Sequence, residues 1–216
     1  INKAELWEEN PVGKVIIDDT IENNKSFLSI IRKENDELVN SNLLAHFLQN
    51  DKPFWVDFVK EVLKITDENI INSTPKITRE SIGNIDLFIE VENFVIVIEN
   101  KIKSGISRQR DDGYSQLEKY IKKAEEFLNN TALNSQIKYY ILRPNYNNEN
   151  YKVFNEGERY SEIKYSEIYK IIKNKNSDLY FEEFKKVVKK HSAEYDNELF
   201  EIMNERFTEQ IKLNRK

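Results

Sequence analysis

The stretch from residue 84 to residue 101, NIDLFIEVENFVIVIENK, is the most apolar part of a chain in which 33% of the residues are charged. Its runs of Ile, Val, Leu and Phe, with Glu92-Asn93 between them, predict two buried β-strands joined by a tight turn. Three ionisable residues, Asp86, Glu99 and Lys101, lie where a buried strand is ordinarily apolar. The positions of these side chains therefore bear on function as well as on fold.

The turn between the two strands determines which of their residues face each other. A loop with an even number of residues places Asp86 opposite Glu99. The same register, continued outward, pairs Asn84 with Lys101. Directly opposed side chains have Cβ atoms about 4.5–5.5 Å apart. Because side chains alternate between the faces of a strand, Glu99 and Lys101 share one face and Asn100 points to the other.

Two opposed carboxylates on an apolar sheet admit two interpretations. They repel each other, and a divalent cation would offset that repulsion beside Lys101. Oxygen ligands without His or Cys favour hard ions, with Mg²⁺ first and Mn²⁺ or Ca²⁺ as substitutes. Such a metal beside a lysine activates water and neutralises charge on a phosphodiester. Alternatively, the strand has reached the surface, and Glu99 and Lys101 form a solvated ion pair that contributes less than about 1 kcal/mol.

The composition excludes several classes of function. The chain of 216 residues contains no cysteine, which excludes disulfides, thiolate catalysis and Cys-based zinc sites. No signal peptide is recognisable, and no apolar run approaches the roughly 18 residues of a membrane helix. We therefore expect a cytoplasmic protein with no membrane partner. The net charge of −5 argues against binding nucleic acid through overall charge, but a local basic surface remains compatible with it.

The order of predicted elements indicates an α/β protein. We expect a mixed central β-sheet flanked by helices on both faces, with residues 1–176 as the core and its N-terminal helices. Residues 177–216 are expected to form a C-terminal helical extension packed on that core. This expectation rests on the order of the predicted elements. Helices are predicted at 21–49, after Pro53, at 114–128, from an N-cap at Ser166, and at 178–213. Strands are predicted between 70 and 101, at 136–143 and at 162–165.

The candidate residues resemble the PD-(D/E)XK nuclease superfamily. Its pattern is an acidic residue on one strand, a hairpin into Glu-x-Lys, and a helix; here these are Asp86, IENK at 98–101 and YSQLEKY at 114–120. That helix carries Gln116 and Tyr120, similar to the Gln-x-x-x-Tyr motif of some bacterial branches. Upstream, ELVNSNLLAHFL resembles the helix in which those proteins carry a glutamate, here Glu37. The similarity covers residues 37–170, although the Pro of the family name is replaced by Ile85.

The resemblance implies a restriction-endonuclease-like core with a metal site. Asp86, Glu99 and the backbone carbonyl of Asn100 would hold Mg²⁺, with Mn²⁺ as a substitute. Glu37 would support the metal through water. Lys101 would orient or help to deprotonate the attacking water and stabilise the charge that develops on the phosphate.

The resemblance also implies a substrate and leaves alternatives open. Gln116 and Tyr120 would orient the lysine and line the substrate side. The expected activity is metal-dependent hydrolysis of phosphodiester bonds, with DNA as the first substrate and endonuclease or exonuclease cleavage both compatible. Restriction, defence and repair are compatible roles, and a dimer is a compatible state. The alternative is a non-catalytic, nuclease-like scaffold that binds protein or nucleic acid.

Other polar residues give weaker signals. Lys103, Arg108 and Arg110 follow the core lysine on a loop, where they either contact phosphates or are ordinary exposed charges. The two histidines, His46 and His191, are too far apart in sequence to predict a site. His46, within a Leu-rich helix, is expected to be a packed or boundary residue.

Overall fold

A computed structural model describes residues 26–106, 114–131, 135–175 and 178–193. A π-helical segment, Phe58–Val62, follows directly on the helix Lys52–Asp57. Two 3₁₀ turns, Tyr151–Val153 and Gly157–Arg159, precede the strand Tyr160–Lys164. The helices and strands in chain order are α1 (Phe27–Ile30), α2 (Glu37–Asn50), α3 (Lys52–Asp57), α4 (Glu68–Asn72), β1 (Lys76–Thr78), β2 (Leu87–Val91), β3 (Phe94–Asn100), α5 (Gln116–Thr131), β4 (Gln136–Arg143), β5 (Tyr160–Lys164), α6 (Tyr165–Ile172) and α7 (Leu179–Ser192).

The five strands form one mixed sheet in the order β1-β2-β3-β4-β5. The first three strands pair antiparallel, whereas β3, β4 and β5 run parallel. This arrangement confirms the predicted mixed α/β sheet. It also makes β3 the central strand, paired along both of its edges.

The hairpin between β2 and β3 has the predicted register. Val91 pairs with Phe94, and the ladder continues to the pair of Leu87 and Ile98. The next positions outward are Asp86 and Glu99, as expected. The predicted pairing of Asn84 with Lys101 is wrong, because Asn84 lies in a turn with a φ of 64° and the strand has ended before it.

Apolar side chains cover both faces of the sheet, which confirms helices on both sides. On one face, the strands pack against α2, α3, α4, α6 and α7; on the other face they pack against α5. Alternation along β3 assigns its residues to these faces, with Ile96 and Ile98 on the first and Val95 and Val97 on the second. Glu99 and Lys101 therefore lie on the α5 face, and Asn100 lies on the face that α2 and α6 cover.

The N-terminal helical pattern is interrupted in the structure. Phe27 and Ile30, two apolar residues of the pattern predicted to be helical at 21–49, are exposed, with 60% and 67% of these residues accessible; residues 21–25 lie outside the described residues. The helix α1 has only four residues and ends before Arg32, whose φ is 58°. One turn of helix is too short to bury an apolar stripe, so the core on this side begins with α2.

The helix α7 contributes to the same core as the sheet. Phe181, Phe184 and Val188 belong to the apolar cluster on the α2 face, and the rings of Phe47 and Phe181 lie 5.0 Å apart. The predicted helix beyond residue 193 lies outside the described residues. The division into a core and a C-terminal extension stays a prediction. None of the described helices is long and apolar enough to span a bilayer.

Candidate active site

The ends of β2 and β3 bring Asp86 and Glu99 to one face of the sheet. Asp86 immediately precedes β2, and its Oδ2 accepts a hydrogen bond of 2.7 Å from the backbone N–H of Asn100. The carboxylate of Asp86 is thereby fixed beside the last residue of β3, and the geometric prediction for the pair is confirmed.

Glu99 is buried, with 1% of its surface accessible. Its Oε1 lies 2.8 Å from Nζ of Lys101 and accepts a hydrogen bond of 2.9 Å from Nε2 of Gln116. Its Oε2 is buried and has no hydrogen-bond partner among the residues that the structure describes. A buried carboxylate oxygen without a donor is costly. The carboxyls of Asp86 and Glu99 lie within hydrogen-bond reach of each other, so the pair requires either a shared proton or a cation.

Burial and mutual repulsion raise the pKa of both acids. Burial raises the pKa of Asp86 to about 6, although the N–H of Asn100 and the ammonium of Lys101 oppose the shift. Burial, and then the charge of Asp86, raise the pKa of Glu99 well above its ordinary value. The two carboxyls contact each other, so they titrate as a coupled pair rather than as separate groups.

Lys101 is held in its charged form. Only 7% of the residue is accessible. Burial alone lowers the pKa of Lys101, but the attraction and hydrogen bond of Glu99 outweigh it, and the net shift is upward. In the metal-free protein Lys101 is thus an ammonium group that donates hydrogen bonds.

The first turns of α5 add two polar side chains to the site. Nε2 of Gln116 donates to Glu99 and also, at 2.8 Å, to the hydroxyl of Tyr120. Burial raises the pKa of Tyr120, so its hydroxyl stays protonated. Leu117 and Ile121 are buried beside them. The prediction that Gln116 and Tyr120 share the helix face toward the carboxylates is confirmed.

Glu37 contacts the loop that follows Lys101. Its Oε1 accepts the backbone N–H groups of Ile102, Lys103 and Ser104 at 2.8, 3.1 and 3.0 Å. The hydroxyl of Ser104 lies 2.8 Å from Oε1 and 2.6 Å from Oε2. Within the described ranges, no three His, Cys, Asp or Glu side chains form a group that could hold a metal ion. The expected contribution of Glu37 to a metal through water stays a prediction.

The side chain of Asn100 faces away from the carboxylates and is fully buried. Its Nδ2 lies 3.1 Å from Oγ of Ser41 and 3.3 Å from the carbonyl oxygen of Glu37, and its Oδ1 accepts the hydroxyl of Tyr165 at 3.0 Å. Ser41 and Tyr165 were not among the predicted site residues. The available signal was an asparagine that the strand alternation directs into an apolar core, where it requires polar partners.

A model of the PD-(D/E)XK nuclease superfamily matches residues 25–197. The chain belongs to this superfamily. No curated protein and no solved structure matches the chain significantly. The matched range contains the whole described sheet and the seven residues that the sequence analysis selected, which are Glu37, Asp86, Glu99, Asn100, Lys101, Gln116 and Tyr120.

Nucleases of this superfamily typically use divalent metals, and the residues at the end of β3 fit such an ion. The unpartnered Oε2 of Glu99 and the carboxylate of Asp86 are hard oxygen ligands. In a strand, the N–H and C=O of one residue point to the same neighbouring strand. Because the N–H of Asn100 points to Asp86, its carbonyl points to that side as well.

The remaining candidates differ in their surroundings. Lys103 is exposed beside the site, whereas Arg108 and Arg110 lie outside the described residues. His46 is exposed rather than packed, because it lies on the outer face of α2. His191 is buried in α7, where its ring nitrogens lie 3.0 Å from the hydroxyl of Tyr146 and 2.8 Å from the carbonyl oxygen of Glu34.

Proposed function

We propose that this member of the superfamily is a metal-dependent nuclease that hydrolyses phosphodiester bonds, with DNA as its substrate and Mg²⁺ as its metal. The observation that carries the proposal is the buried pair of carboxyls, Asp86 and Glu99, in which Oε2 of Glu99 meets no donor among the residues that the structure describes. This oxygen lies in a carboxylate pair whose pKa values are raised. A divalent cation would give Oε2 a partner and remove the repulsion between the two acids.

Asp86, Glu99 and the carbonyl of Asn100 are the groups that would hold the ion. The ion supplies positive charge for the scissile phosphate and lowers the pKa of water. Mn²⁺ would substitute for Mg²⁺ because both accept oxygen ligands. Glu37, whose contacts are with the loop 102–104, would act indirectly.

Lys101 would stabilise negative charge on the reacting phosphate and orient the attacking water. Its pKa is raised in the metal-free site, which favours an ammonium that donates hydrogen bonds over an amine that accepts a proton. The ion pair with Glu99 fixes the position of Nζ. Gln116 supports this geometry because it donates to the same carboxylate oxygen that Lys101 contacts. Tyr120 is the second partner of Gln116 and would line the substrate side.

Incubation of the protein with nucleic acids tests the proposal directly. The substrates are linear, supercoiled and single-stranded DNA and RNA, each with Mg²⁺, with Mn²⁺ and with a chelator. We expect cleavage of DNA with either metal and none with chelator. Cleavage of RNA alone would overturn the assigned substrate. Conversion of supercoiled circles into nicked or linear DNA would identify an endonuclease, because an exonuclease needs a free end.

An Asp86→Asn variant, purified in the same way, controls for a contaminating nuclease. It retains the size of the side chain and removes one carboxylate from the pair, so cleavage should disappear. A parent protein that cleaves none of the substrates, and whose melting temperature does not respond to either metal, would support the non-catalytic scaffold instead.

A further inference from the structure

The chain leaves the sheet after Asn100, yet residues 102–104 stay attached to the start of α2. We propose that the first two turns of α2, through Glu37 and Ser41, form a clamp that positions Lys101 for catalysis. The clamp consists of two sets of contacts, one on each side of Lys101 in sequence. This inference rests on the proposed nuclease function and assigns Glu37 to the loop rather than to the metal.

The first set of contacts holds the residue before Lys101. The side chain of Asn100 reaches Oγ of Ser41 at 3.1 Å and the carbonyl oxygen of Glu37 at 3.3 Å, both on α2. From α6, the hydroxyl of Tyr165 donates to Oδ1 of Asn100 at 3.0 Å. These side chains are all nearly inaccessible to solvent, so each of their polar groups needs a partner within the protein. A fully partnered polar group there fixes one arrangement of the strand end.

The second set of contacts holds the residues after Lys101. The carboxylate of Glu37 accepts three successive backbone N–H groups, from Ile102 to Ser104, and also the hydroxyl of Ser104. A carboxylate in this arrangement accepts backbone N–H groups that have no partner in a strand or helix. Glu37 therefore gives this loop a defined path.

Between the two sets, Lys101 is held through its backbone as well as through the ion pair of its Nζ with Glu99. Its N–H donates to the carbonyl oxygen of Leu142 at 2.8 Å, and its carbonyl oxygen accepts from Nδ2 of Asn147 at 3.2 Å. Movement of the strand end would displace Lys101 together with Asn100, and it would strain the hydrogen bond between the N–H of Asn100 and Asp86. A misplacement of about 1 Å can reduce a rate by roughly 100-fold.

Two tyrosine variants separate positioning from simple loss of stability. Tyr165→Phe removes the hydroxyl that contacts Asn100. Tyr140→Phe is the matched control, because its hydroxyl is also buried in this core and donates to one backbone carbonyl, that of Leu63, at 3.2 Å. We expect the two variants to have similar melting temperatures. Relative to the parent, Tyr165→Phe should have a kcat about tenfold lower and a KM within about twofold. Tyr140→Phe should keep the kcat of the parent. Equal loss of kcat in both would overturn the positioning role.

Amide hydrogen exchange tests the clamp without substrate or metal. In Glu37→Gln, exchange at residues 102–104 should accelerate at least about tenfold, because the amide group replaces one acceptor oxygen with a donor. Glu34→Gln is the control, since Glu34 precedes the same helix and its side chain bonds to Lys190 and Ser29. Unchanged exchange in Glu37→Gln would overturn the clamp. If the parent cleaves nothing, the nuclease proposal fails, and the exchange result still decides whether the clamp exists.

Discussion

Replacing Asp86 with Asn should stabilise the metal-free protein at neutral pH and have little effect below about pH 4. The pKa of Asp86 is about 6 in the folded protein, against an ordinary value of 3.8. Between these values the folded state binds more protons than the unfolded state. The free energy of unfolding of the parent therefore falls as the pH rises through this window. Asn carries no charge at any pH, so the variant escapes that loss.

The size of the effect follows from the pKa difference. About two pKa units correspond to about 3 kcal/mol, since each unit is equivalent to 1.36 kcal/mol. The side-chain oxygen of Asn can still accept the N–H of Asn100, so the substitution keeps the hydrogen bond that fixes this position. It also removes the charge that contributes to the raised pKa of Glu99. We therefore expect a gain of about 3 kcal/mol above pH 6.

Urea denaturation in chelator, at one-unit intervals from pH 4 to pH 8, measures the difference between parent and variant. Glu158→Gln is a suitable control because it removes one negative charge from an exposed side chain. The control should follow the parent at every pH. An Asp86→Asn variant that is less stable than the parent at pH 7, or a difference that does not change with pH, would refute the reasoning.

Four further results are expected. The rise in melting temperature that Mg²⁺ causes should grow between about pH 5 and pH 7, because a proton on Asp86 competes with the metal; an equal rise at both pH values would contradict this. Lys101→Met should abolish cleavage but bind Mg²⁺ at least as tightly by calorimetry, since it removes a nearby positive charge; lost binding would indicate a structural ion pair. Gln116→Leu should lower kcat about 10- to 100-fold in steady-state assays, as it removes a hydrogen bond to a carboxylate, and an unchanged kcat would exclude it from the site. Gly157→Ala should destabilise the fold by about 1–3 kcal/mol in urea, because its Cβ would lie 2.3 Å from the carbonyl oxygen of Tyr151; parent-like stability would show that the backbone yields.

The half of the site that could be predicted from the sequence depends on local periodicity. A two-residue turn and strand alternation were enough to bring Asp86 opposite Glu99 and to put Lys101 on the same face. The spacing of Gln116 and Tyr120, four residues apart, likewise placed both on one helix face. These relations involve neighbours in one hairpin or one helix, so they do not require knowledge of how the elements pack.

The other half depends on contacts between distant elements. The partners of the Asn100 side chain are 59 and 65 residues away, on α2 and α6, and no local pattern identifies them. The start of α6 was also misjudged. Ser166 has the side chain of a typical N-cap, but β5 runs directly into the helix, with Lys164 as the N-cap and Glu167 accepting its N–H. The parallel packing of β5 on β4 determines that boundary.

The burial of Asp86 and Glu99 explains why the metal-free protein is destabilised at this site and why the site suits a divalent ion. If Asp86 and Glu99 lay at the surface, water would solvate them, and replacing that water with a cation would release little free energy. In the structure, Glu99 is buried, one of its oxygens lacks a partner among the described residues, and both pKa values are raised. A dication restores these interactions where the dielectric screening is weak, so the attraction is stronger than it would be in water. The metal-free protein is destabilised by the amount that metal binding can recover. The stability gain of Asp86→Asn without metal and the loss of metal response in the same variant should therefore have the same physical origin.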